Sequence, residues 1–159
     1  MKRNVIIACS AQKKEQLGIR PIWELGVELS EWKSIIESEN GHLSPRELYN
    51  GMHFVNQKSN IQENSDHLWI ASAGLGLLDG STESKDRVNH YDAAFSRKFG
   101  TSIESWSELP FGGLDRLFPI HGQIIIALPL QYQKAIISDP NFLQISNRII
   151  ALGPGPLQE

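Results

Sequence analysis

Cys9 is the one thiol in the chain, and it stands where an apolar run ends: residues 4–9 read NVIIAC, with Ser10, Lys13 and Lys14 close behind. Positive charge near a thiol favours the thiolate, and a thiolate can attack an electrophilic carbon and carry a covalent intermediate. The same cysteine can equally close a strand as a small buried hydrophobe, since free cysteine is among the most buried residue types. No His–Asp pair stands near it in sequence to complete a triad.

Three further segments hold groups able to bind or move protons. In residues 47–54, Tyr49 and His53 fall four apart, which on a helix puts a phenol beside an imidazole on one face. A solvated helix face explains that spacing almost as well. Glu47 is either a capping residue or a group turned toward the site. Residues 72–80, SAGLGLLDG, begin with Ser72 and bring Gly74 and Gly76, whose backbone N–H groups could approach a phosphate or a base edge. The next glycine falls at Gly80, one residue late for the dinucleotide fingerprint, so no NAD site and no other cofactor is read here. A tight turn would by itself account for these glycines. His90, Tyr91 and Asp92 stand at an expected helix start, where Asp92 is a general acid or base, a ligand for a ribose or base, or a helix cap. The remaining histidines, His42, His67 and His121, match no metal-ligand spacing, so no metal is expected.

The elements that must position these groups read as strand and helix in alternation. Residues 4–9, 67–73, 123–128 and 148–152 are short runs rich in Ile, Val, Leu and Ala, as strands buried on both faces require. Between them lies enough chain for helical crossovers. The fold expected is α/β, a small mostly parallel sheet of about four strands with helices on both faces, in one domain over residues 1–159. Ser44-Pro45-Arg46-Glu47 is a helix start with a capping box, with Leu48, Met52 and Val55 facing the sheet. An earlier helix covers residues 29–38, with Leu29, Trp32 and Ile36 inward. A third begins near His90 and runs through Phe99, and Asp139-Pro140 starts a short one. Residues 101–122 carry Pro110, Gly112, Gly113 and Pro119 and read as two short helical turns. In open sheets of this class ligands bind beyond the carboxyl ends of the strands, which is where Cys9, Ser10, Ser72 and Gly74 would be delivered.

Composition sets the outer limits. The chain has 159 residues, 40% hydrophobic and 21% charged, which suits a folded domain rather than a disordered one. Its formal net charge of −3 argues against a surface coated in positive charge for non-specific nucleic-acid binding. A local basic patch in the first third, from Lys2, Arg3, Lys13, Lys14 and Arg20, remains a route to nucleic acid. A single cysteine forms no internal disulfide. The start looks like a signal peptide, but its apolar stretch is short of the ~7 residues an h-region needs, and no segment nears the ~20 required to span a bilayer. A cytoplasmic protein without membrane contact is expected.

In order, these motifs resemble a family. Cys9-Ser10-Ala11-Gln12-Lys13 closes a first strand; Glu47-Leu48-Tyr49 with Phe54 lies on a helix; Ser72-Ala73-Gly74-Leu75-Gly76-Leu77 ends a second strand; Tyr91-Asp92 follows. Over about the first 95 residues the chain resembles the small α/β YaaA-like proteins, departing at Leu75, where that pattern has an aromatic. It departs again after the last strand, where an extension is missing. The resemblance implies a core like that of uracil-DNA glycosylases and of domains in deazaguanine modification of tRNA and DNA. It also implies a strand-end pocket for a nucleobase or nucleotide. There Cys9 or Asp92 would act, Lys13 would supply charge and the Ser72–Gly76 backbone would hold the ligand, flanked by Ser10, Glu47, Tyr49, His53 and Tyr91. This is expected to be modification of a base or cleavage of a glycosidic bond, in nucleic-acid modification or defence. The alternative is a non-catalytic module that senses a nucleotide or docks a protein partner, with the apolar stretch from Trp106 to Phe118 as its patch.

Overall fold

A computed structural model describes residues 3–14, 20–24, 26–62, 64–95 and 102–158. Its centre is β1 (Arg3–Ala8), the apolar run that ends at Cys9, buried at each residue from Asn4 to Ala8. Parallel neighbours flank it on both sides. β2 (Asp66–Ser72) pairs from Arg3↔Asp66 to Ala8↔Ala71, and β4 (Ile124–Ala127) from Asn4↔Ile124 to Ile7↔Ala127. β5 (Ile149–Ala151) extends the sheet in parallel beyond β4, and β3 (Gly76–Asp79) turns back antiparallel on β2. The order is β3-β2-β1-β4-β5, so the fold is α/β on a five-stranded, mostly parallel sheet.

That order places the site. The chain leaves β1 toward β2 on one side and later returns to β4 on the other, so strand order reverses at the carboxyl ends of β1 and β4. Cys9 lies at that reversal, its N–H donating to the Ala71 carbonyl at 3.0 Å. The expected strands stand within a residue or two of their observed bounds. The fifth, β3, was hidden inside the glycine-rich segment read as a loop. Its first residue, Gly76, has φ +97°, and a Cβ there would lie 2.2 Å from the Gly112 carbonyl oxygen. No side chain fits, and the reversal depends on glycine.

The helices are short. α1 (Leu29–Glu37) buries Trp32, whose ring stacks on Trp23 at 5.2 Å. The helix expected to run unbroken past Ser44 is two: α2 (Pro45–Leu48) and α3 (Met52–Ser59), parted by Tyr49 in extended backbone. Ser44 makes no side-chain cap bond, so the capping box does not form. The break resets the helical phase. Met52 is 73% exposed and Val55 36%, and Phe54 is the residue that packs inward instead. Residues 90–95 are not helical, and the rest of the helix expected there lies outside the described residues. α4 (Leu130–Ser138) and α5 (Phe142–Ile145) connect β4 to β5. Asp139 closes α4, and it also leads into the short helix expected there, its carboxylate accepting from the Asn141 N–H at 2.8 Å and its carbonyl from the Phe142 N–H at 2.9 Å. Residues 101–122 do form two short turns, Ile103–Glu108 and Leu114–Leu117. All four tryptophans are at most 3% exposed, and Leu114 and Leu117 are buried with them. Within the Trp106–Phe118 stretch, Trp106, Leu109, Leu114 and Leu117 are core, Phe111 is half-buried and Phe118 is exposed. Full burial of each such apolar side chain stabilises by about 1.5–3 kcal/mol.

Candidate functional site

A backbone strap after β1 explains why Tyr49 leaves its helix. Lys13 and Tyr49 form an antiparallel bridge, the Lys14 N–H donates to the Leu48 carbonyl at 2.7 Å, and the Asn50 N–H to the Gln12 carbonyl at 3.2 Å. Ser10 closes the strap, its hydroxyl donating to the Gln12 carbonyl at 2.5 Å and accepting from the Gly51 N–H at 3.1 Å. Pairing with the strap supplies backbone partners that a continued helix would otherwise provide. Tyr49 turns into the core at 1% exposure, while His53, one turn into the exposed side of α3, faces solvent. The expected Tyr49–His53 pair does not form.

Tyr49 instead joins a buried chain of hydroxyls. Its phenol lies 2.7 Å from that of Tyr91, which lies 2.5 Å from the Ser72 hydroxyl at the end of β2. Ser72 Oγ also accepts from the N–H groups of Gly74 and Leu75, at 3.3 and 3.0 Å. The Gly74 carbonyl accepts from the Trp32 indole at 2.6 Å. The Gly74–Gly76 turn thus spends its polar groups inside the fold, rather than presenting them to a phosphate. A Cβ at Gly74 would sit 2.8 Å from Tyr91 Cε2, so glycine is what lets the turn close over the tyrosine ring. Burial pushes both phenols well above the usual tyrosine range, with Cys9 adding to the effect on each and Tyr49 adding to that on Tyr91.

Lys13 covers this chain. Its ammonium sits 4.6 Å from the centre of the Tyr91 ring and 5.9 Å from that of Tyr49, with the residue only 8% exposed. Burial pulls its pKa below the ordinary lysine value; the charges of Cys9 and Asp92 hold it up in part, and Arg20 lowers it further. Lys13 is therefore within electrostatic reach of both residues expected to act.

Cys9 and Asp92 each have a partner outside the hydroxyl chain. The Cys9 sulfur is 3.1 Å from the Tyr132 hydroxyl, in α4, and Tyr132 packs edge-on against Phe95 at 5.0 Å. Burial and the neighbouring Cys9 also raise the Tyr132 phenol, so it is a neutral donor available to a thiolate. Asp92 pairs with Arg20 at 2.5 Å, and its backbone bridges to Ile22.

The fold therefore gathers Cys9, Ser10, Lys13, Tyr49, Ser72, Tyr91 and Asp92 around the carboxyl ends of β1 and β2. Glu47 lines a different cavity and His53 is solvent-facing. Of the basic residues in the first third, Arg3 pairs with Asp66 at the other end of β1, Lys13 is buried, Lys14 is exposed and Arg20 is paired with Asp92, while Lys2 lies outside the described residues. Sequence reasoning missed Tyr132, 123 residues from Cys9. The available signal was topological: a tyrosine in the helix after β4 belongs to the same sheet edge as Cys9. Among the described residues no three His, Cys, Asp or Glu side chains are grouped to hold a metal ion. No helix among them is long and apolar enough to cross a membrane.

No protein-family model, curated protein or solved structure matches the chain.

Proposed function

We propose that the chain binds a nucleobase or nucleotide beyond the carboxyl ends of β1, β2 and β4 and modifies it, with Cys9 as nucleophile. The observation that carries this reading is convergence. Residues from segments as far apart as Cys9, Tyr49, Ser72, Asp92 and Tyr132 meet at one edge of the sheet, where α/β folds bind ligands. The resemblance to YaaA-like proteins, with the base-handling cores it implies, supports the choice of ligand class. Burial of β1 from Asn4 to Ala8 and of β2 from Leu68 to Ser72 supports a sheet covered by helices on both faces, and the single cysteine suits a cytoplasmic setting.

The chemistry proposed is addition followed by expulsion. The Cys9 thiol gives its proton to Lys13, the buried amine within electrostatic reach of it, whose pKa burial lowers. The sulfur bonds to an electrophilic ring carbon, and the electron pair of the opened C=N bond moves to the ring nitrogen. That nitrogen takes the proton from Lys13. Expulsion of the substituent, protonated as it leaves, re-forms the C=N bond with the base held on Cys9. Water then adds to that carbon and the thiol departs. For a glycosidic bond, water instead adds at the sugar carbon, with Asp92 taking its proton, as the base leaves. Tyr132 steadies the sulfur, and the Tyr49–Tyr91–Ser72 chain fixes the floor.

A thermal-shift screen tests this with nucleobases, nucleosides, nucleotides, deazaguanines and short oligonucleotides against the wild type, Cys9→Ser and Asp92→Asn. A compound that raises the melting midpoint of the wild type, and does so less in either variant, supports the reading. A folded wild type that responds to none of them removes it. Equal stabilisation of all three proteins, without turnover, points to a nucleotide sensor.

A further inference from the structure

A cavity of about 440 Å³ shares no lining residue with the Cys9 cluster. Arg46, Lys58 and Arg87 line it together with His42, Ser44 and Glu47. In a chain of net charge −3, this concavity sets the cations of Lys58 and Arg87, beside an Arg46 engaged in an interaction of its own, against the Glu47 carboxylate among the described residues. Like charges held together on a protein surface repel one another, and an anion among them removes that repulsion.

The fold arranges these cations rather than leaving them to chance. Arg46 is in α2 and Lys58 in the last turn of α3, and the Lys58 ammonium donates to the Arg46 carbonyl at 3.3 Å, tying the two helices together. Arg87 donates through Nη1 to the carbonyls of Ser84 and Asp86, at 2.8 and 2.7 Å. Those bonds occupy one nitrogen of the guanidinium. The Nε and Nη2 edge is the fork that fits two oxygens of a tetrahedral anion. Ser44 adds a hydroxyl donor to the same wall.

We propose that this cavity is a binding site for the phosphate of a small phosphomonoester, held by the Arg87 fork and the Lys58 ammonium. So small a group of cations favours a small anion over a nucleic-acid strand, which calls for a continuous basic track. The Glu47 carboxylate on the same wall points the same way, because it repels further negative charge beyond one phosphate group. The site is independent of the chemistry proposed at Cys9.

Isothermal titration calorimetry tests it, using the full chain with inorganic phosphate, ribose 5-phosphate and a short single-stranded oligonucleotide. Saturable binding of ribose 5-phosphate is expected, weakened about tenfold in Arg87→Gln and in Lys58→Gln by loss of a charge-assisted contact. Glu47→Gln is expected to bind about two- to threefold more tightly, since a repelling charge is gone. Arg87 and Glu47 are exposed, so circular dichroism should show both variants folded. Cys9→Ser should bind as the wild type does, which separates this site from the Cys9 edge. Absence of saturable binding by either phosphate compound, an unchanged affinity in Arg87→Gln, or tighter binding of the oligonucleotide than of the monoester would overturn the proposal.

Discussion

The Cys9 sulfur and the Tyr132 hydroxyl meet at 3.1 Å across the point where strand order reverses. One group ends β1 and the other belongs to the helix that follows β4, so the contact spans the crevice in which sheets of this class hold ligands. Tyr132 is a neutral phenol raised far above its ordinary pKa by burial and by Cys9, and it donates to whatever negative charge the sulfur carries. Loss of that hydroxyl is expected to slow alkylation of Cys9 by iodoacetamide at pH 8 several-fold in Tyr132→Phe. The ring contact with Phe95 is kept in that variant, so the fold should cost no more than about 1 kcal/mol. Alkylation at the wild-type rate would leave the tyrosine a packing residue.

Lys13 makes stability and function pull in opposite directions. Burial lowers its folded-state pKa, so between that value and the unfolded value of about 10.4 the unfolded chain binds more protons than the folded one. Stability contributed at this position therefore rises with pH through that window. Lys13→Met should be more stable than the wild type at neutral pH, by about 1 kcal/mol, with the gap closing toward pH 10. The same variant should lose Cys9 reactivity and ligand-induced stabilisation. Urea unfolding at a series of pH values reads the first effect.

The hydroxyl chain is a structural prediction. Ser72→Ala removes the acceptor of the buried Gly74 and Leu75 N–H groups and one partner of Tyr91. Unsatisfied buried donors cost about 1–3 kcal/mol each, so this variant should lose at least about 2 kcal/mol by urea unfolding. Tyr49→Phe removes one shared bond and should lose about 1 kcal/mol. Equal losses in the two would mean the amides find other partners.

These interactions show what could and could not be read from the sequence. β1 and α1 were legible because each is decided locally: NVIIAC is apolar at every step, and Leu29, Trp32 and Ile36 recur at helical spacing. Tyr49 was misread because its conformation is decided by a partner 36 residues away: Lys13, bridging to it from the strap. Helical periodicity across Asn50-Gly51 carries no trace of that pairing. Cys9 and Ser72 were legible as strand-end residues and Lys13 as the charge that follows the first. Tyr91 and Asp92, in contrast, were read at a helix start that does not form, and reach the same edge through the Ser72–Tyr91 bond and the Asp92 bridge to Ile22. Tyr132 and the turn-back of β3 depend on contacts between distant segments, which no window of sequence contains.

On the sheet's other edge, His67 donates a pH-dependent test. Its ring nitrogen lies 2.9 Å from the Asp79 carboxylate, across the β2–β3 ladder. Burial pushes that carboxyl up, but bonds from His67 and Ser81 outweigh it and leave it below its ordinary value. A depressed carboxyl adds stability above the unfolded value near 3.9 and loses it as pH falls through the folded value. Asp79→Asn should cost about 1 kcal/mol at pH 6 and converge with the wild type in acid. A constant difference across that range would show that the charge is not what matters.

Protection of Cys9 from alkylation by a panel of nucleobases and nucleotides is the most direct test of the proposed site. The expected result is saturable slowing by at least one of them, weakened when Asp92 is replaced by asparagine. Alkylation at one unchanged rate in the presence of every compound, by a protein shown to be folded, would contradict nucleobase binding at this edge of the sheet.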